Sequence, residues 1–318
     1  MNAVTDASAA GVRDLQALLA ARLIGHDRLV ERMLIALLTG GHMLVEGAPG
    51  LAKTRAVRAL ADAVSGTNAR IQCTPDLMPA DLTGTPVWRA QSGTFDFVPG
   101  PVFHNLVHVD EINRAPPKVQ SALLEAMAEG QVTSGGETRK LPDPFLVVAT
   151  QNSIEHDGTF PLPEAQLDRF LLHVVLDLPD LETERRILDL VEAETLDGAH
   201  PPAPISLDKL TAARNEVRRV HLAPELRDYI VRLVVATRDG ALAGDVGHAA
   251  SPRGSLALAA ASRARAWLAG RDYALPEDVA DLARDALAHR IVLNWRAVAE
   301  GRTAREVVGG ILDAVEPL

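Results

Sequence analysis

The stretch that most constrains the fold is Met43-Leu44-Val45, followed by Glu46-Gly47-Ala48-Pro49-Gly50-Leu51-Ala52-Lys53-Thr54 and an alanine-rich run to residue 64. A short apolar run, a glycine-rich turn and a helix-compatible stretch predict strand, loop and helix in that order. A phosphate-cradling P-loop needs this context. The loop Gly47, Ala48, Pro49, Gly50, Leu51 and Ala52 would hold phosphates through its backbone N–H groups, which all but Pro49 possess, with the helix N-terminus behind them. Lys53 would reach the terminal phosphates and the Thr54 hydroxyl would ligate magnesium. Ala52 stands where the usual pattern has glycine, so the motif alone is only moderately specific.

A second motif raises that specificity. Leu106-Val107-His108-Val109-Asp110-Glu111 is a mainly apolar strand ending in two acids. At its carboxyl end Asp110 would hold magnesium through water, and Glu111 would orient or deprotonate an attacking water. Further apolar runs at 69–73, 145–149 and 171–176 bring the strand candidates to five, and their near-continuous apolar character suits parallel strands covered by helices on both faces. Residues 12–38 read as two helices broken at Ile24-Gly25. Two pieces interrupt the alternation: about 76–101, rich in proline and glycine, and about 131–141, turning at Ser134-Gly135-Gly136. Both read as inserted hairpins outside the core and as candidate contact surfaces.

After Pro179 the periodicity is helical throughout, over 181–194, 207–220, 224–238, 252–269 and 276–289, with a connector at 196–204 around Pro201-Pro202. A boundary near 180 follows: an α/β nucleotide-binding domain over 1–180 and a helical domain over 181–318. The formal charge of -10 disfavours nucleic acid as a partner unless basic groups line one groove. Four of the 32 basic residues are lysines, so Lys53 is a poor candidate for surface filler. One cysteine, Cys73, forms neither an internal disulfide nor a thiolate metal site. His104 and His108 share a strand face about 13 Å apart, too far for one metal. The chain shows no basic n-region before an apolar stretch and no run long enough to span a bilayer, so a cytoplasmic protein without membrane insertion is expected.

The P-loop and acidic pair leave several superfamilies open. None of the lysines follows an asparagine, so the guanine-reading N-K-x-D motif is missing and a GTPase is disfavoured. Val147-Val148-Ala149-Thr150-Gln151-Asn152 is a strand ending in an amide, and Leu167-Asp168-Arg169-Phe170 follows soon after. With Arg70-Ile71-Gln72, Thr74-Pro75-Asp76-Leu77, Pro99-Gly100-Pro101, Asp110-Glu111-Ile112-Asn113-Arg114-Ala115-Pro116-Pro117 and Ser251-Pro252-Arg253, these segments resemble the MoxR family of AAA+ ATPases. They cover the α/β half densely and the helical half thinly. Family P-loops often carry alanine at the position of Ala52, and the family usually has proline where this chain has Ser153.

The resemblance implies an AAA+ P-loop core, a five-stranded parallel sheet sandwiched by helices, followed by a smaller all-helical lid. It implies ATP and Mg2+ as cofactors and a ring homo-oligomer, by analogy a hexamer. Asn152 would be the sensor-1 amide that positions the attacking water, and Arg169 the arginine finger given to the neighbouring subunit's ATP. Arg253 would be the sensor-2 arginine, reaching from the lid to ATP on its own chain. Ile24 and Gly25 would lie against the adenine, and the inserted hairpins would face a pore or client. The plain alternatives are a surface ion pair of Arg169 with Asp168 or Glu164, and an ordinary first-turn cation at Arg253. The implied function is ATP-driven, chaperone-like remodelling of a client protein, often with a von Willebrand factor A domain partner. The rivals are a nucleotide-gated scaffold with negligible turnover and, less favoured by charge, a nucleic-acid motor.

Overall fold

The computed structural model describes residues 3–153, 158–197, 204–240 and 242–317. Two helices open the chain, α1 (Ala3–Arg22) and α2 (Asp27–Thr39), the second ended by Gly40 in left-handed backbone. Then come β1 (Met43–Gly47), α3 (Lys53–Asp62) and β2 (Asn68–Gln72), the order expected around the glycine-rich loop. The first insertion holds a short helix, α4 (Pro79–Thr83), and the antiparallel ribbon β3 (Gly84–Arg89) and β4 (Thr94–Pro99). After β5 (Leu106–Asp110) and α5 (Pro117–Glu129) the second insertion forms the ribbon β6 (Gln131–Ser134) and β7 (Glu137–Lys140). This second hairpin is not wholly outside the core, because its Val132 is buried with α5 residues Leu123 and Met127. The α/β part closes with β8 (Leu146–Asn152), α6 (Glu164–Leu167) and β9 (Leu172–Val175).

The five strands form one parallel sheet in the order β2-β5-β8-β1-β9. Side chains alternate across it with the two-residue period of a strand. Met43, Val45, Leu146 and Val148 face one apolar layer with α1, α2 and α3, while Leu44, Val107, Val109, Val147 and Ala149 face the other with α5. Central strands buried on both faces explain why these segments read as continuous apolar runs.

Seven α-helices follow among the described residues: α7 (Leu181–Asp197), α8 (Leu207–Arg219), α9 (Pro224–Asp239), α10 (Pro252–Leu268), α11 (Pro276–Leu287), α12 (Trp295–Ala299) and α13 (Ala304–Ala314). Most of the connector expected at 196–204 lies outside the described residues. The all-helical expectation needs a correction: β10 (Val246–His248) and β11 (Val292–Leu293) pair antiparallel. Segments of two or three residues are too short for any periodicity to register. The apolar layer on α1 and α2 runs on into Leu210, Leu226, Leu258 and Leu282. Arg32 on α2, 1% exposed, binds Asp285 at 3.0 Å and Asp281 at 2.7 Å on α11. A buried cation needs such partners, and they tie the first helices to the last ones.

Candidate functional site

Parallel strands put all their carboxyl ends on one edge of the sheet, and ligands in open α/β sheets bind there. Register then selects which side chains meet. Gly47 lies beside Asn152 across β1 and β8, and Gln72 beside Asp110 across β2 and β5. Lys53 and Thr54 begin α3 immediately after the loop. The result is one open cavity of about 380 Å³ that brings together Lys53, Thr54, Asp110, Glu111 and Asn152 from three chain segments.

The Lys53 ammonium donates to the carbonyls of Gly47 and Ala48, the latter at 2.9 Å, and to Asn152 Oδ1 at 2.8 Å. Asn152 in turn donates from Nδ2 to Glu111 Oε1 at 3.0 Å. Thr54 Oγ1 donates to Asp110 Oδ2 at 3.3 Å, and Thr150 Oγ1 to Asp110 Oδ1 at 2.6 Å. Burial pushes the Asp110 carboxyl up, but hydrogen bonds from Thr150 and Arg70 outweigh it and hold the group below the ordinary carboxylate value. Asp110 is thus an anion at neutral pH, ready to bind a cation.

Two backbone features mark the same place. Ala52 and Glu111, at φ 53° and 55°, are the non-glycine residues in left-handed backbone among those described. Such residues cost about 1–2 kcal/mol each and gather at functional sites. Ala52 explains the departure noted in the sequence: glycine is natural there because the chain turns left-handed. Gly50, at φ 87°, has open space where a side chain would begin.

The cradle passes the test for a phosphate ligand and magnesium. No side chain caps the N-terminus of α3. Ala52 at the N-cap offers the first turn no side-chain acceptor, and a bound anion suits that place. Thr54 and Asp110 offer the hard oxygen donors that magnesium takes.

Sequence reasoning assigned no role to Thr150, Arg70 or Gln72. Arg70 Nη2 donates to Asp110 Oδ2 at 2.6 Å, and Gln72 Nε2 to Glu111 Oε2 at 3.0 Å. Their signal is faint: alternate positions near the end of an edge strand share a face, so Arg70 and Gln72 point together toward the acids.

Ile24 and Gly25 lie in the turn between α1 and α2, and a Cβ on Gly25 would strike the Thr183 side chain on α7. They do not line the cavity, although Arg55 in the first turn of α3 donates to the Arg22 carbonyl at 3.2 Å and keeps that turn close.

Arg169 and Arg253 lie elsewhere. Leu171 N–H donates to the His42 carbonyl at 2.7 Å, which fixes the 168–171 segment at the amino end of β1. Arg169, Arg253, Gly41 and His42 line one groove of about 330 Å³ there. Strand β1, Met43–Gly47, separates this edge from the P-loop by roughly 16 Å at about 3.3 Å per residue. Arg169 donates to the Leu124 carbonyl and pairs with neither Asp168 nor Glu164 in the described contacts. Arg253, half-exposed, sits 3.4 Å from Asp168. The expectation that Arg253 reaches ATP on its own chain therefore does not match this arrangement: α10 begins against the amino edge of the sheet, not against the P-loop.

Burial pushes the Cys73 thiol up to about 12 and the His108 imidazole down to about 4. No group of three or more metal-ligating side chains occurs among the described residues.

Fold and site together define a P-loop ATPase of the AAA class. The family model described as "ATPase family associated with various cellular activities (AAA)" matches residues 42–172, and that of the AAA lid domain matches 242–311. Chaperone MoxR1 of Mycobacterium tuberculosis is 45% identical over 92% of this chain and 78% of its own. Protein MoxR of Paracoccus denitrificans is 35% identical, covering 89% and 88%. A solved structure from Cytophaga hutchinsonii superposes with a TM-score of 0.91 at 40% identity, covering 99% of this chain and 97% of that one. The chain belongs to the MoxR family of AAA ATPases. Within the described residues no helix is long and apolar enough to cross a membrane.

Proposed function

We propose that the protein hydrolyses ATP in a ring of its own copies, by analogy a hexamer, and uses the cycle to remodel a client protein. The observation that carries this reading is the split of the machinery between two edges of one sheet. Lys53, Thr54, Asp110, Glu111 and Asn152 gather at the carboxyl edge, while Arg169 and Arg253 lie at the amino edge. No single copy assembles both halves, so a neighbour's amino edge would complete each site. In this reading Arg253 joins Arg169 in serving the neighbour.

At the carboxyl edge, the α3 amides and Lys53 would hold the phosphates, and Thr54 and Asp110 would hold magnesium. Bound magnesium supplies charge neutralisation between the phosphates. Asn152 and Glu111, already hydrogen-bonded to each other, would fix the attacking water. Glu111 would accept its proton as oxygen bonds to the terminal phosphorus and the bond to ADP breaks. Arg169 from the neighbour would meet the charge that develops, an effect worth about 10³ to 10⁵ in rate. A division near residue 180 would separate the nucleotide-binding part from the lid, with Ile24 and Gly25 beside the adenine.

A chaperone role is supported by the relative named Chaperone MoxR1. The ribbon of β3 and β4 exposes Trp88 and Phe95, paired across the strands with ring centroids 5.1 Å apart, and is the surface we assign to client or partner contact. A von Willebrand factor A domain partner and a cytoplasmic location complete the proposal.

The test is steady-state ATP hydrolysis against protein concentration, with magnesium, beside the oligomer mass with and without ATP. Turnover per chain that rises as rings assemble is expected. Tight ATP binding with negligible turnover at every concentration would favour a nucleotide-gated scaffold instead.

A further inference from the structure

Arg290 follows α11 and is 6% exposed, yet it carries a charge into the core. Its guanidinium spans the segment that bears Arg169. Nε donates to Asp168 Oδ1 at 3.0 Å, and Nη2 to the Asp168 carbonyl at 3.2 Å and the Phe170 carbonyl at 2.6 Å. Nη1 donates to the Leu171 carbonyl at 3.3 Å and to Ala286 within its own helical turn. Backbone carbonyls on both sides of Arg169 are thus held by one planar group, a geometry that lysine's single ammonium cannot reproduce.

The second end of this clamp is Asp168. Its carboxylate accepts from Ser251 Oγ at 2.9 and 3.1 Å and from Arg253 at 3.4 Å. Ser251 also caps α10, accepting the Arg253 N–H at 3.1 Å. Asp168 therefore fixes the start of the helix that carries Arg253, while Arg290 fixes Asp168 and the backbone of Arg169. Burial lowers the Arg290 guanidinium to about 10, with Asp168 opposing the shift, so it stays cationic at neutral pH.

We infer that Arg290 is a positioning residue for Arg169 and Arg253, setting the place from which both arginines reach the neighbouring subunit's nucleotide. The inference rests on the shared-site reading above. It assigns Arg290 no contact with substrate. A misplacement of about 1 Å at a charge-stabilising group can cost about 10²-fold in rate. A loosened clamp would act on the neighbour's site and leave the chain's own P-loop intact.

The test is complementation in mixed assemblies. Arg290→Met alone is expected to lose about 10²-fold in turnover, with affinity for a fluorescent ATP analogue within about twofold of the parent because its binding edge is untouched. Mixed with Glu111→Gln, which lacks the base but offers intact arginines, it should regain turnover. Arg290→Lys is expected to fall between parent and Arg290→Met. Full turnover by Arg290→Met alone overturns the proposal, and so does loss that Glu111→Gln fails to rescue, since the defect would then lie in its own fold or site. Arg169→Ala is mixed with Glu111→Gln in parallel. If that pair also stays silent, the shared-site reading has failed; if it recovers and the Arg290 pair does not, the positioning role alone has failed. Should Arg290→Met not fold, the near-isosteric Asp168→Asn carries the same test: reduced turnover rescued by Glu111→Gln supports the clamp, and unchanged turnover sinks it.

Discussion

The two edges of the five-stranded sheet are built on different principles. At the carboxyl edge, groups from β1, β2, β5, β8 and α3 converge within hydrogen-bond distance, and two non-glycine residues accept left-handed backbone to do so. At the amino edge Arg169 and Arg253 line an open groove. A convergent cradle suits a ligand held by one chain. An open groove lined by two arginines suits a site that another copy completes. On the proposed reading, the contrast means that each chain would carry the binding half of one site and the arginine half of the next.

Substitutions on either edge can break that contrast. The largest effect is expected from Arg169→Ala, a loss of about 10³ to 10⁵ in turnover with ATP affinity retained. Equilibrium binding beside hydrolysis rates checks this, and a collapse of affinity would move Arg169 into the binding half. Glu111→Gln should lower turnover by about 10² to 10⁴ while ATP still binds, and a variant with parental turnover would remove Glu111 from the chemistry. Arg253→Ala is expected to cost about 10²-fold. Its sharper readout is complementation: Glu111→Gln should restore it if Arg253 serves the neighbour, and should fail if Arg253 serves its own chain.

A smaller effect concerns acid stability at the arginine edge. Burial holds the His42 imidazole down to about 4, its Nδ1 accepting the Val147 N–H at 3.0 Å and its Nε2 facing the Met127 carbonyl at 3.1 Å. The unfolded chain takes up a proton below about pH 6.5, whereas the folded chain resists until about pH 4. Stability from this group is therefore whole above pH 6.5 and is lost as pH falls toward 4. Urea midpoints between pH 7 and 4 should fall, and His42→Gln should flatten the slope. His108, lowered to about 4 by burial as well, supplies a share that the variant leaves in place. An unchanged slope in His42→Gln would take this group out of the account.

Much of the carboxyl edge was legible because its chemistry lies in short contiguous motifs: the loop ending at Lys53 and Thr54, the strand ending at Asp110 and Glu111, the strand ending at Asn152. Five apolar runs also became five parallel strands, since burial on both faces leaves little room for polar residues. What stayed hidden depends on pairs distant in sequence. Thr150 meets Asp110 and Arg70 meets Asp110 only once register is set. Arg290 meets residues 168–171 only once α11 packs on the sheet. The side of the sheet reached by Arg253 is likewise a matter of packing, and a motif of three residues carries no record of it.

The most direct test of the split site mixes Glu111→Gln with Arg169→Ala across all ratios and follows ATP hydrolysis. Each variant alone should be nearly silent, and mixtures should hydrolyse ATP with a maximum near equal proportions, because the Glu111→Gln arginines complete the Arg169→Ala sites. Silence at every ratio, with mixed assembly confirmed by mass, would contradict the account.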